Sequence, residues 1–272
     1  MSSPEDSPLG KPAAYHDRYD PALLFAIERA PQRAALGLAG ALPFSGADLW
    51  TAYELSWLDA RGKPEVAIGR FTVPADSPRI VESKSMKLYL NGFSQTPFAS
   101  AMAVERTIAA DLGRAFGTPV AVELVAPGAF ARLRLEELPG ESIDDLAIEV
   151  RDYAPRPDLL AAAGPAVEEA LVSQLFKSNC PVTGQPDWGS VQVRYRGPRI
   201  DRASLLRYLV SFRQHAGFHE HCVERIFVDV RARCRPEKLT VYARFTRRGG
   251  IDINPFRSDW ESPAAAIRTA RQ

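Results

Sequence analysis

The sequence predicts an α+β protein built from a duplicated antiparallel ββααββ unit, and three observations carry that prediction. Residues 50–57 and 66–73 alternate apolar and polar side chains as half-buried strands do, with a turn at Arg61-Gly62-Lys63-Pro64 between them. Residues 82–89 and 101–116 carry apolar side chains at helical spacing, the second run closed by Gly117-Thr118-Pro119. Sliding the chain on itself by 119 residues then superposes Ser85 on Ser204, Tyr89 on Tyr208, Phe93 on Phe212 and Val104-Glu105-Arg106 on Val223-Glu224-Arg225. Ten identities fall in the forty positions 83–122, where about two or three arise by chance at ordinary residue frequencies.

Taken in order, residues 1–45 are rich in Pro and Gly and are expected to form an arm, with a short helix over 23–29. The hairpin and two helices follow, then strands over 120–125 and 131–136. Pro139, Gly140, Pro155, Pro157, Gly164 and Pro165 make 137–166 a connector. The second half repeats the order, with a strand over 188–195, helices over 202–212 and 220–233, and strands over 239–246 and 250–254 joined through Arg247-Arg248-Gly249-Gly250. The expected division is an arm at 1–45, a first module at 46–136, a connector at 137–170 and a second module at 171–272. Each such sheet has one face under its helices and two open edges, so pairing edges within and between chains into an oligomeric barrel is expected.

Composition narrows the function classes. In 272 residues, Lys+Arg 34 against Asp+Glu 33 leaves a formal charge of +1, so no global field draws nucleic acid or anionic lipid. No apolar run reaches the roughly 20 residues of a membrane span. The first twenty residues are polar and lack the apolar stretch of a signal peptide. A soluble, cytoplasmic chain with reduced thiols is expected, since Cys180, Cys222 and Cys234 are too few and too scattered for a disulfide framework.

Cys180 stands in Lys177-Ser178-Asn179-Cys180-Pro181-Val182-Thr183-Gly184-Gln185-Pro186-Asp187-Trp188, which reads as a loop before a strand. A cysteine beside lysine and polar groups is placed to be a thiolate, although a half-buried structural cysteine fits the same residue. Asp187 is either a proton source beside it or a turn residue. Phe218-His219-Glu220 offers an aromatic plane, an acid–base group and a carboxylate, or simply a helix start with favourable charge. Cys222 and Cys234 lie among Val223, Ile226 and Phe227 and read as core. With His219 and His221 they match neither His-Glu-x-x-His nor paired Cys-x-x-Cys spacing, so no metal is expected.

Glu82 and Ser83 suit a helix's first turn, but Lys84 and Lys87 do not, because the helix start is already positive. An anion held by Ser83, Lys84 and free backbone N–H groups would compensate. Arg247-Arg248-Gly249-Gly250 is either a plain hairpin loop or a second phosphate clamp. No Gly-x-Gly-x-x-Gly follows a strand and no Walker loop is present, so any dinucleotide is not held by a Rossmann domain.

The stretch Glu82-Ser83-Lys84-Ser85-Met86-Lys87-Leu88-Tyr89, with the Ser-Asn-Cys-Pro loop and Gln185-Pro186-Asp187-Trp188, resembles the NADPH-dependent 7-cyano-7-deazaguanine reductases, QueF, of the longer two-module kind. The resemblance extends over Leu42-Pro43-Phe44, residues 50–57, the helix at 205–213 and the tail at 246–255. It implies tandem tunnelling-fold (T-fold) modules and reduction of the nitrile of 7-cyano-7-deazaguanine to a primary amine. Two NADPH are used per turnover, without metal, and the product feeds queuosine, a modified base of tRNA. Cys180 would form a covalent thioimide, with Asp187 as proton donor. Glu82 and Glu220 would grip the guanine-like edge, with Val81 and Ser83 completing the pocket and Phe218 packing on the ring. His219 would contact substrate and relay a proton, while Ser83, Lys84, Arg248 and Gly249 would hold NADPH. A homodimer is implied, with no direct contact to nucleic acid or membrane. The alternatives are a zinc-dependent cyclohydrolase of the same superfamily and a non-catalytic purine- or tRNA-binding scaffold.

Overall fold

The computed structural model describes residues 16–263 and 267–272, a mixed α+β chain. Residues 1–15 of the expected arm lie outside the described residues. The chain divides into two units whose segments interleave. One takes the residues up to 35, 48–134 and 247–253, and the other takes 36–47, 135–246 and 254–272. The units therefore differ from the division expected above. Residues 36–47 go with the second unit, and the basic turn after residue 246 returns to the first. No helix among the described residues is long and apolar enough to cross a membrane.

In the first unit the expected hairpin is present as β2 (Ser45–Leu58) and β3 (Pro64–Pro74), with Asp59 N–H donating to Lys63 O at 2.8 Å across the turn. β5 (Ala121–Val125) pairs antiparallel with β3 through Phe71↔Val122, giving the order β5-β3-β2. α2 (Ser83–Asn91) and α3 (Ala101–Phe116) lie where helical spacing placed them. α3 buries Val104, Ile108, Leu112 and Phe116, one stripe spaced by four residues. They join Trp50, Leu55, Phe71, Met86 and Phe93 in a single core, each large side chain contributing about 1.5–3 kcal/mol by leaving water.

The short helix expected over 23–29 is not formed. Pro21–Leu23 makes one 3₁₀ turn, and β1 (Ala26–Glu28) pairs antiparallel with β4 (Arg79–Val81). The backbone of Phe25 is used elsewhere: its N–H donates to Ser85 Oγ at 3.0 Å and its C=O accepts from Glu82 N–H at 2.9 Å. A helix appears just beyond, as α1 (Ala30–Ala35). The described part of the expected arm is packed, with buried Arg29 paired to buried Asp48 at 2.5 Å. Tyr19 donates its hydroxyl to Asp111 at 2.7 Å and sets its ring edge-on to Phe93.

The second unit holds a strand that the sequence reading missed. β7 (Ala162–Asn179) begins inside the expected connector and pairs antiparallel with β8 (Pro186–Ile200) from Ala162↔Ile200 to Asn179↔Pro186, with irregularities at 163–166 and 173–176. With β6 (Glu141–Ser142), β9 (Lys238–Phe245) and β10 (Ile251–Ser258), the order is β10-β9-β8-β7-β6, although the first residues of β10 belong to the first unit. α4 (Arg202–Ser211) and α5 (His219–Cys234) lie within about a residue of expectation. The strand expected over 131–136 is absent: Pro127–Arg132 is a 3₁₀ turn, residues 131–137 are all exposed, and Leu135 makes only an isolated bridge to Arg268. The alternation there has no core to face, so the first repeat lacks its fourth strand at this point.

The duplication nevertheless extends to hydrogen bonding. Ser85 and Ser204 each donate to the carbonyl of their helix cap, Glu82 and Asp201, at 2.7 Å. Each also accepts a backbone N–H from an incoming segment, Phe25 at 3.0 Å and Ala161 at 3.2 Å. Tyr89 and Tyr208 then donate to an aspartate on the next helix, Asp111 and Asp229.

Arg257, wholly buried, meets Glu224 of α5 through Nε at 3.2 Å and Nη2 at 2.9 Å. Removing one partner of such a pair leaves an uncompensated buried charge. Glu224→Ala is therefore expected to cost about 3–5 kcal/mol in urea unfolding; a loss below 1 kcal/mol would show that the guanidinium is satisfied without it.

Candidate active site

In the second unit the end of the β7–β8 ladder places Cys180. Ser178 stands opposite Asp187, and Asn179 opposite Pro186, so the strands come together where the loop 180–185 begins. That loop is short and closed on itself: Cys180 N–H donates to Gln185 O at 2.8 Å, and Gly184 N–H to Cys180 O at 3.0 Å. A second tie fixes the same corner, with Asn179 N–H donating to His215 O at 2.8 Å and Gly217 N–H donating to Asn179 O at 3.0 Å. Cys180 is 2% exposed, and Lys177 to Asn179 are strand rather than the loop expected.

The chain leaves that corner into α5. Its first turn carries His219, whose Nε2 lies 3.4 Å from Asp187 Oδ2, with both side chains largely buried. The imidazole stacks flat on Phe245, centroids 3.8 Å and planes 2° apart. His219 Nδ1 has no hydrogen-bond partner among the described residues. Phe218 is the N-cap residue, half-buried, and contributes no capping hydrogen bond, while Glu220 in the first turn is 4% exposed. Cys180, Asp187, Phe218, His219 and Glu220 thus gather around one junction of β7, β8 and α5.

Lys177 differs from the sequence expectation, whereas Cys222 and Cys234 match theirs. Lys177, a candidate for promoting the thiolate, has its ammonium engaged by Asn179 Oδ1 at 2.6 Å and Arg213 O at 2.7 Å. Burial and the Arg213 guanidinium lower its pKa, Asp187 opposing them. Burial pushes the Cys222 thiol up to about 12 and that of Cys234 to about 11, so both are neutral thiols at physiological pH, as a core role requires. Among the described residues no group of three or more His, Cys, Asp or Glu side chains is arranged to hold a metal ion.

In the first unit, Val81 ends β4 and Glu82 caps α2. The Glu82 carboxylate, 1% exposed, accepts from Lys84 N–H at 2.6 Å and Ser85 N–H at 2.9 Å. Burial raises its pKa, and those two N–H donors oppose the rise. The backbone donors expected to be free for an anion are therefore occupied by the protein's own carboxylate. The polar side chains at this end are those of Ser83, whose hydroxyl donates to Glu82 Oε1 at 3.4 Å, Lys84 and Lys87, all half-buried.

The basic turn belongs to the same unit. Gly249 is in the left-handed region (φ +62), and a Cβ there would stand 2.9 Å from Lys87 Nζ; at Gly250 (φ +76) it would overlap the Glu54 carboxyl group. Only glycine suits such positions, and here it brings the turn against Lys87 of α2. Arg247 lies over the Tyr53 ring at 5.7 Å. Lys84, Lys87 and Arg248 supply cationic donors, and the bare turn lets a phosphate approach the backbone, so the residues fit a dinucleotide phosphate. Phe245 under His219 was not singled out from sequence; no local signal marks it, because the contact joins β9 to α5.

The family model described as nitrile reductase, 7-cyano-7-deazaguanine-reductase N-term, matches residues 15–124, and that of the QueF-like proteins matches residues 186–264. The NADPH-dependent 7-cyano-7-deazaguanine reductase of Bordetella pertussis is 61% identical over 269 residues, 98% of this chain and 98% of the relative. That of Burkholderia multivorans is 58% identical over 273 residues, 99% of this chain and 100% of the relative. The solved apo form of the archaeosine synthase QueF-Like overlaps 37% of this chain and 99% of its own, at 17% identity and a TM-score of 0.32. On this full-length similarity, the chain belongs to the family of NADPH-dependent 7-cyano-7-deazaguanine reductases.

Proposed function

We propose that this oxidoreductase reduces the nitrile of 7-cyano-7-deazaguanine to the aminomethyl group of 7-aminomethyl-7-deazaguanine, through a thioimide on Cys180, as a step that feeds queuosine in tRNA. The observation that carries the reading is the junction of the closed loop of Cys180 with the strand and helix that carry Asp187 and His219, whose Oδ2 and Nε2 atoms are 3.4 Å apart.

A nitrile carbon is a poor hydride acceptor, and addition of the Cys180 sulfur converts it into a thioimide with a polarised C=N bond. The S–C bond forms as the nitrile nitrogen takes a proton, for which Asp187 is the donor and His219 its relay. NADPH, when bound, supplies the hydride, two equivalents in all. After the first addition the C–S bond breaks and Cys180 is released; the second reduces the resulting imine to the amine. Glu82 and Glu220 accept the ring and amino N–H donors of the substrate, with Val81 and Ser83 beside Glu82 and Phe218 on the ring face. Ionised carboxylates suit that role because they are acceptors only. Ser83, Lys84, Arg248 and Gly249 hold NADPH, and Lys87 adds a cation beside the same turn.

The same reading makes the two units tandem T-fold modules, with the chain working as a cytoplasmic homodimer and barrel closure covering the outer strands β5 and β6. The domain division at 46–136 and 171–272 remains our proposal for the ancestral repeat. A zinc-dependent cyclohydrolase or a non-catalytic scaffold has no comparable support.

Two NADPH oxidised per 7-cyano-7-deazaguanine are expected, with turnover and covalent adduct both lost in Cys180→Ala while the fold is retained. Adduct or turnover persisting in that variant would remove the nucleophile. Because the Glu82 pKa is raised, substrate affinity should fall with decreasing pH starting above the ordinary glutamate value of about 4.3. Glu82→Gln should abolish that dependence and raise KM for the substrate about tenfold or more; an unchanged KM would take Glu82 out of recognition.

A further inference from the structure

Phe245, the last residue of β9, is held by side chains as well as by the sheet. β9 and β10 pair at Thr240↔Ser258, Val241↔Arg257 and Tyr242↔Phe256. At Phe245 the N–H donates instead to Asn254 Oδ1 at 3.1 Å, and the C=O accepts from Gln272 Nε2 at 2.9 Å. The two side-chain amides are joined to each other, Gln272 Nε2 donating to Asn254 Oδ1 at 2.8 Å. Gln272 Oε1 in turn accepts from Arg244 Nε at 2.8 Å and from Thr269 N–H at 3.1 Å. Gln272 is 5% exposed, and Asn254 and Phe245 are wholly buried.

A primary amide is the side-chain group that can donate twice and accept twice at this point. Glutamate would keep the acceptors for Arg244 and Thr269 and lose both donors; leucine would lose every one of these bonds. The held residue matters because its ring carries the His219 imidazole at 3.8 Å, face to face, and that imidazole lies 3.4 Å from Asp187. The amide pair therefore reaches the acid–base groups through one aromatic ring.

We propose that Gln272, acting with Asn254, is a positioning residue for the reaction, clamping the Phe245 backbone so that its ring fixes the plane of His219 against Asp187. The role rests on the reading of His219 and Asp187 as proton donors given above. A supporting residue of this kind affects rate more than binding, because reacting groups tolerate little misplacement.

The test uses the full chain carrying Gln272→Glu or Gln272→Leu. We expect kcat about tenfold lower in either, a cost in the range of small misplacements at a reacting centre, with KM for 7-cyano-7-deazaguanine unchanged. The Cys180 adduct without NADPH, followed by intact mass, should reach the same extent but form more slowly, since the same two groups, Asp187 and His219, protonate the nitrile nitrogen. In the NMR spectrum, the ring-proton resonances of His219 should move downfield as the stacked Phe245 ring shifts away. With four histidines in the chain, a His219→Asn spectrum identifies them. His219 resonances or kcat unaltered in a folded variant would overturn the proposal. So would kcat, the extent of adduct and thermal stability all falling in proportion, since that pattern marks a structural role alone. If Gln272→Leu does not fold, Gln272→Glu, which keeps the bonds to Arg244 and Thr269, decides. Absence of adduct in the unaltered protein would instead remove the reading of the site, while the His219 resonances would still report the clamp.

Discussion

The antiparallel ladder between β7 and β8 sets the phase of everything around Cys180. Side chains alternate faces along a strand, so a slip of one residue would turn Asp187 to the opposite side of the sheet from the position it holds across from Ser178. The irregularity at 173–176 interrupts that alternation just upstream, and such bulges re-aim the residues that follow. The far end is pinned independently, because the loop closes on Cys180 through Gln185 while Asn179 is bonded on both sides to residues 215–217. From that pinned corner the chain runs directly into α5, so the thiol, the aspartate and the first turn of the helix are located by one set of backbone bonds.

The two copies of the duplicated unit keep one framework and differ in what they attach to it. A carboxylate caps the first helix of each pair, Glu82 in one and Asp201 in the other. Asp201 reaches the N–H of Ser204, whereas the longer Glu82 spans the N–H groups of both Lys84 and Ser85. The second helices diverge more. α3 starts with Ser100 as an ordinary hydroxyl cap, while the corresponding start of α5 is Phe218 with no side-chain cap, followed by His219 and Glu220. Capping was given up where the second copy carries its aromatic, imidazole and carboxylate groups.

Half-buried elements were legible because burial on one face leaves a period in the sequence. The β2–β3 hairpin and α3 are such cases, with buried residues at every second and at every third or fourth position. β7 was not, since its opening Ala-Ala-Gly-Pro-Ala is mostly exposed and is held by the partner strand rather than by a buried face. Residues 131–136 erred the other way, alternating without any surface to bury. At residues 23–29 a short apolar run suited helix and strand equally, and pairing with β4 decided it. In the site, the run from Glu82 to Tyr89 was readable because its chemistry is local to one helix start. The stacking of Phe245 on His219, and the ties of Lys177 to Asn179 and Arg213, depend on contacts that sequence spacing does not encode.

Glu82 has a consequence that follows from its double duty. Its carboxylate already satisfies two backbone donors at the positive end of α2. Any ligand whose N–H groups draw it away deprives the helix of its cap, a loss of about 1 kcal/mol for a typical capping group. Release of that carboxylate would in the same motion uncover two N–H groups beside Lys84, where a phosphate could take its place. Glu82 would then couple occupancy by a donor-bearing ligand to exposure of an anion-ready helix end, as a latch does.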